Sequence, residues 1–132
     1  MLLIQLEAKE KFAFLKLAHY IAKSDGNYST QEKEIIEEYC FEMGIDNFEL
    51  PFESIDIDEV INTFRCKKSK CIILMELMIL AHCDDTYNEA ENAILSNLAK
   101  KLDITQKELK MFSNWGKAVS SLRNQAILMS LD

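Results

Sequence analysis

The sequence predicts an all-α fold: one compact bundle of about six to seven helices, built from two pseudo-symmetric helix–acidic loop–helix repeats. Three observations carry this. Only three glycines and one proline occur in 132 residues, too few for the many turns of a β protein. Hydrophobic residues make up 48% of the chain, enough for a core without covalent staples. And Asp-x-x-Tyr-x-x-x-Glu is written twice, in "SDGNYSTQE" and "CDDTYNEAE", at an offset of 59 (84 − 25, 87 − 28 and 91 − 32).

The elements follow in order. Phe14, Leu17, Ala18 and Ile21 mark one face of a helix over about 6–23, widened by Phe12, Leu15 and Ala22. After the loop "SDGNY", Ser29 and Glu32 form a capping box for a second helix carrying Ile35, Ile36, Tyr39, Cys40 and Met43, which Gly44 ends. Pro51 sits in an irregular acidic connection. Asp56 caps a short helix, with Glu59 at its third position and Ile55 and Val60 placed as a hydrophobic staple.

A central helix is expected over about 69–83. Its apolar run from Cys71 to Ala81 is broken by Glu76, and reads as a helix buried on nearly all sides. That run is far shorter than the roughly 20 residues needed to span a bilayer. After "DDTY", Asn88 caps a helix to about Leu102, with Glu91 at its third position. Thr105 caps another, with Glu108 and an Ile104–Leu109 staple. Gly116 is expected to break the chain, leaving a last helix over about 117–131 with the stripe Val119, Leu122, Ala126 and Met129.

The offset of 59 reaches beyond the loops. Leu15 matches Leu74, Ala22 matches Ala81, Ile35 matches Ile94 and Ile45 matches Ile104. The repeated unit is therefore one hairpin, about 11–45 and again about 70–104. The tyrosines at the staple positions, Tyr28 and Tyr87, face Lys33 and Asn92 there, so they are expected to pack against the neighbouring hairpin.

Charge narrows the function. The net charge is −7; ten acidic residues and no Lys or Arg lie between Glu34 and Phe64, and Arg65, Lys67, Lys68 and Lys70 follow at once. A phosphate backbone repels such a surface, so nucleic acid is not the expected partner. The acidic stretch is either a solvated face or a dock for a basic protein. The four cysteines contain no Cys-x-x-Cys, and "MLLIQLEAKEK" lacks a basic signal region. A cytoplasmic, non-membrane-spanning protein with reduced thiols is expected.

The repeated loop admits three readings. A standard EF-hand fails: counted from Asp25, position 6 is Thr30 and position 12 is Ile36, and counted from Asp84, position 12 is Leu95. A purely structural reading makes Glu32 and Glu91 capping-box residues and Asp25 and Asp84 acceptors in their own turns. A non-standard divalent site would use Asp25, Glu32, Asp84, Asp85 and Glu91, an oxygen-rich set suited to Ca²⁺, Mg²⁺ or Mn²⁺, with His82 a further candidate that would favour a softer ion such as Zn²⁺. Enzymatic readings are weakest. His82 and Cys83 are adjacent on a helix and point about 100° apart, so they do not pair as base and nucleophile; no glycine-rich phosphate loop occurs.

The pair "SDGNYSTQEKEII" and "CDDTYNEAENAIL" resembles the TerB-like domain, an all-helical fold with two acidic helix–loop–helix repeats. The resemblance runs from about Phe12 to Leu109. It places Asp25, Gly26 and Glu32 in the first site's positions and Asp84 and Glu91 in the second's; Asp85 stands where the family has Gly. What it implies is a non-enzymatic stress-response role of the tellurite or toxic-ion resistance type. It also implies divalent-cation binding and protein partners at the inner face of the membrane, as in the related domain of DnaJ-type co-chaperones. The alternative is a plain interaction scaffold or co-chaperone-like adaptor that docks a basic partner.

Overall fold

A computed structural model describes residues 1–24, 28–46, 56–83 and 89–130. Among these the chain is all-helical, with no strand. A 3₁₀ turn at Leu3–Gln5 precedes α1 (Ala8–Ala22), α2 (Thr30–Met43), α3 (Ile57–Ile61), α4 (Lys67–His82), α5 (Glu89–Lys101) and α6 (Gln106–Met129). The core holds α4 at its centre, with Ile73, Leu74, Leu77, Met78 and Leu80 buried on several sides. The first hairpin packs against it through Phe14, Leu15, Leu17, Ile35 and Ile36.

Capping chemistry sets several boundaries. Ser29 Oγ accepts from Glu32 N–H at 3.1 Å, and Glu32 Oε1 accepts from Ser29 N–H at 3.0 Å. Thr105 and Glu108 repeat the arrangement at 3.1 Å each way. Asp56 caps α3 through Asp58 and Glu59. Gly44 ends α2 in the left-handed region, at φ 70°. Ile55 and Asn88, expected as staple and cap, lie outside the described residues.

Four expectations need correction. The first helix begins at Ala8, with Glu7 as its N-cap, and Phe12 lies on its exposed side. The central helix starts two residues early, because Cys66 Sγ serves as its cap by accepting from Ser69 N–H. Gly116 does not break the chain: α6 runs unbroken for 24 residues. The glycine is there for contact, since a Cβ on it would lie 2.6 Å from Met78 Cβ and 2.8 Å from the Met78 carbonyl carbon. Consequently there is no separate helix over 117–131, and the stripe Leu122, Ala126, Met129 is exposed. The face of α6 that meets α4 uses Leu109, Phe112, Gly116, Val119 and Ser120, with the Ser120 hydroxyl donating to the Ile79 carbonyl at 2.9 Å.

Tyr28 contacts its own hairpin. The Lys23 and Lys33 ammonium groups lie 5.5 and 5.3 Å from its ring centre, and His19 meets it edge-on at 6.2 Å. Lys33 thus fills the staple position as a cation over a ring, which a purely apolar staple rule overlooks.

Candidate functional site

Helical phase splits α2 into two faces. Glu32, Ile35, Ile36, Tyr39, Cys40 and Met43 point inward. Glu34, Glu37, Glu38 and Phe41, at the complementary three- and four-residue spacing, point to solvent. Phe41 belongs by composition to the inner face but sits on the outer one, 90% exposed. Opposite it runs the C-terminal half of α6, where Arg123 and Ile127 stand one turn apart. Arg123 Nη2 donates to Glu38 Oε1 at 2.7 Å and its Nε to Oε2 at 3.3 Å, a two-pronged pair that ties α6 to α2. Between the helices lies a shallow groove lined by Phe41 and Ile127 together with Glu34, Glu37, Glu38 and Arg123.

Inward of the Glu38–Arg123 pair is a half-open cavity of about 150 Å³. Its apolar wall is Ile35, Ile79 and Val119; Glu38, Glu42 and Glu76 supply carboxylates. Glu76 comes from the middle of α4 and is 1% exposed. Its Oε1 accepts from Leu2 N–H at 2.8 Å, and the Met1 amino group lies 3.2 Å from the same atom and 2.5 Å from Glu42 Oε1. Glu76 Oε2 is buried and has no hydrogen-bond partner among the described residues. Burial pulls the Met1 amino pKa down, but the Glu42 hydrogen bond and the field of Glu76 outweigh it, so the net shift is upward and the ammonium form is favoured. The Tyr39 hydroxyl donates to the Glu76 carbonyl at 2.5 Å, and burial, with Glu76 adding to it, holds its pKa well above the usual value.

The candidate ligands named from the sequence fall unevenly. Asp25, Asp84 and Asp85, with Gly26, lie outside the described residues. Glu32 and Glu91 sit in the first turns of α2 and α5, 5% and 3% exposed. His82, the last residue of α4, has its Nε2 3.0 Å from Ser113 Oγ, a hydrogen bond to α6. Among the described residues no group of three or more His, Cys, Asp or Glu side chains could hold a metal ion, and no helix is long and apolar enough to cross a membrane.

Neither the groove nor the cavity was singled out from the sequence, although two signals in it mark them. Glu76 is the single charge in an eleven-residue apolar run, and a charge there must find partners inside the fold. Phe41 falls on the phase of Glu34, Glu37 and Glu38. No family model, curated protein or solved structure matches this chain.

Proposed function

We propose that this chain is a non-enzymatic interaction module, of the stress-response kind its TerB-like resemblance implies, that docks a basic partner on the exposed side of α2. Phe41 carries the reading. A phenylalanine held almost wholly in solvent, with Ile127 across a groove, is the sort of apolar anchor that interfaces bury. Its rim of Glu34, Glu37 and Glu38 steers a basic segment toward it and disfavours an acidic one. The same resemblance puts such a partner in the cytoplasm, at the inner face of the membrane.

The test uses a fluorescein-labelled amphipathic helix peptide of Leu and Lys, and the same peptide with Glu for Lys. Anisotropy at low salt should show binding of the Lys peptide alone, weakening as salt screens the carboxylates. Phe41→Ser and the double change Glu34→Lys with Glu37→Lys should each weaken it. Equal binding of both peptides, indifferent to salt and to these changes, removes the reading.

A second reading is favoured by one observation: Glu32 and Glu91, 59 residues apart, are both buried in the first turn of a helix that follows an acidic stretch of sequence. On this reading Asp25, Glu32, Asp84, Asp85 and Glu91 hold or support a divalent cation. A ligand bound only by the folded state adds about 2.7 kcal/mol at a hundredfold excess over Kd. Ca²⁺, Mg²⁺, Mn²⁺ or Zn²⁺ should then raise the melting temperature of chelator-stripped protein, and Asp25→Asn with Asp84→Asn should abolish the rise. No shift with any of the four ions eliminates it.

A further inference from the structure

Resting on that docking reading, we infer that the cavity beside Glu76 is an anchor pocket for one lysine side chain of the docked partner. The pocket and the Phe41 groove share Glu38 and Arg123 in their walls, so they adjoin across that ion pair between α2 and α6. A partner segment with an apolar residue on Phe41 and Ile127 brings a neighbouring side chain to the mouth of the cavity.

The lining selects which side chain enters. Ile35, Ile79 and Val119 suit a methylene stem, and the carboxylates beside them suit an ammonium tip. At about 150 Å³ the space is well below the roughly 300–1,000 Å³ of small-molecule sites, and matches a side chain better than a cofactor. Lysine is preferred to arginine because no carboxylate here keeps two open oxygens for a guanidinium fork: Glu38 gives both to Arg123, Glu42 gives one to Met1 and one to Leu3, and Glu76 Oε1 is held by Leu2 and Met1, whereas an ammonium is a point charge that needs one. Glu76 gives the second, independent observation. Its Oε1 is already engaged by Leu2 and Met1, while Oε2 is buried and unmet. A buried acceptor without a donor is unfavourable, and Glu76 lines the cavity, so an entering ammonium meets the field of a carboxylate whose second oxygen no donor of the described residues satisfies.

Charge excludes the competing occupants. Glu34, Glu37, Glu38, Glu42 and Glu76 line the groove and the adjoining cavity, against Arg123 and Met1. A second copy pairing face to face would set these carboxylates against their own duplicates, and an anionic lipid surface would be repelled.

Two experiments test this. In the first, n-butylammonium is titrated into the wild-type protein by NMR. Saturable shifts at the Ile79 and Val119 amides are expected, and none with butyrate; no shift with n-butylammonium, or equal shifts with both, overturns the pocket. In the second, the Leu–Lys peptide is measured against Glu76→Gln and against Val119→Phe, which fills the cavity and leaves Glu76 in place. Each should weaken binding roughly tenfold, with circular dichroism confirming the fold; if Glu76→Gln does not fold, Val119→Phe decides. Wild-type affinity in the folded variants, with binding still lost in the Glu34→Lys, Glu37→Lys protein, overturns the anchor and leaves the docking face standing. Failure of the wild-type protein to bind the peptide overturns both.

Discussion

Gly116 lies against Met78 so closely that a Cβ on the glycine would stand 2.6 Å from the methionine's own Cβ. The neighbouring atoms include the α4 backbone, at the Met78 carbonyl carbon and the Ile79 nitrogen, so no side-chain rotation relieves the clash. Gly116→Ala therefore sets two effects against each other. Alanine favours a helix interior by about 1 kcal/mol over glycine, while overpacking a core contact costs about 1–3 kcal/mol. Backbone contact puts this site at the upper end. A net loss of about 1–2 kcal/mol is expected in urea denaturation. A variant as stable as wild type would mean that α4 and α6 separate at no cost.

Gly44 and Asp103 end α2 and α5 in the same way. Both are left-handed, at φ 70° and 57°. Beyond them Ile45 N–H donates to Cys40 O at 3.1 Å, and Ile104 N–H to Ala99 O at 2.8 Å. These are two Schellman ends, each bond spanning five residues, at positions exactly one offset of 59 apart. The left-handed conformation costs an L-residue about 1–2 kcal/mol, less for Asp than for most. Asp103→Gly is expected to raise stability by up to about 0.5 kcal/mol, the gain trimmed by the entropy of an unfolded glycine. Gly44→Ala should lower it by about 1 kcal/mol. Thermal melts of the two variants check both signs, and a stabilised Gly44→Ala protein would contradict the shared turn.

That pair shows what the sequence could and could not disclose. Gly44 was readable as a helix end because glycine announces a left-handed turn; Asp103 does the same work without the announcement. Ser29, Asp56 and Thr105 were readable as caps because their side chains act within four residues. Gly116 was misread for the converse reason. Its role depends on Met78, 38 positions away, and no local rule distinguishes a glycine that breaks a helix from one that lets two helices touch. The stripe Val119, Leu122, Ala126 and Met129 is helical as its period implies, but Leu122, Ala126 and Met129 are exposed, because periodicity reports an apolar face without saying what covers it. For the site, Glu76 stands out in the sequence as a charge in an apolar run, but the cavity it lines and the adjoining Phe41 groove, both walled by Arg123, exist only through long-range packing.

Cys66 should be the most reactive of the four thiols. The Ser69 hydroxyl at 3.2 Å and then the Ser69 N–H lower its pKa, and the residue is exposed at the head of α4. Burial raises the pKa of Cys40 and of Cys71, and Cys83 is buried. Since the thiolate is the nucleophile, iodoacetamide at neutral pH should label Cys66 first, as read by peptide mass spectrometry. Ser69→Ala should slow that labelling, with the difference fading as pH rises past the ordinary thiol range. Faster labelling of Cys71 would contradict the assignment.

Glu108 links the start of α6 to Lys67 at the start of α4, with Lys67 Nζ 3.0 Å from Oε2. The Thr105 N–H, and after it Lys67, hold the Glu108 carboxyl below its usual pKa. The folded state then binds fewer protons than the unfolded one, so this group's contribution is present above the unfolded carboxylate range and is lost as pH falls through the lowered folded value. Glu108→Gln keeps a capping side chain but removes the charge. The stability difference between wild type and this variant should be largest near neutral pH and shrink on acidification below the ordinary carboxylate range. It should also shrink in high salt, because the Lys67 contact is exposed. Urea denaturation across that pH range measures it. A difference unchanged between neutral and strongly acidic pH would assign the effect to side-chain shape and leave the charge no part in it.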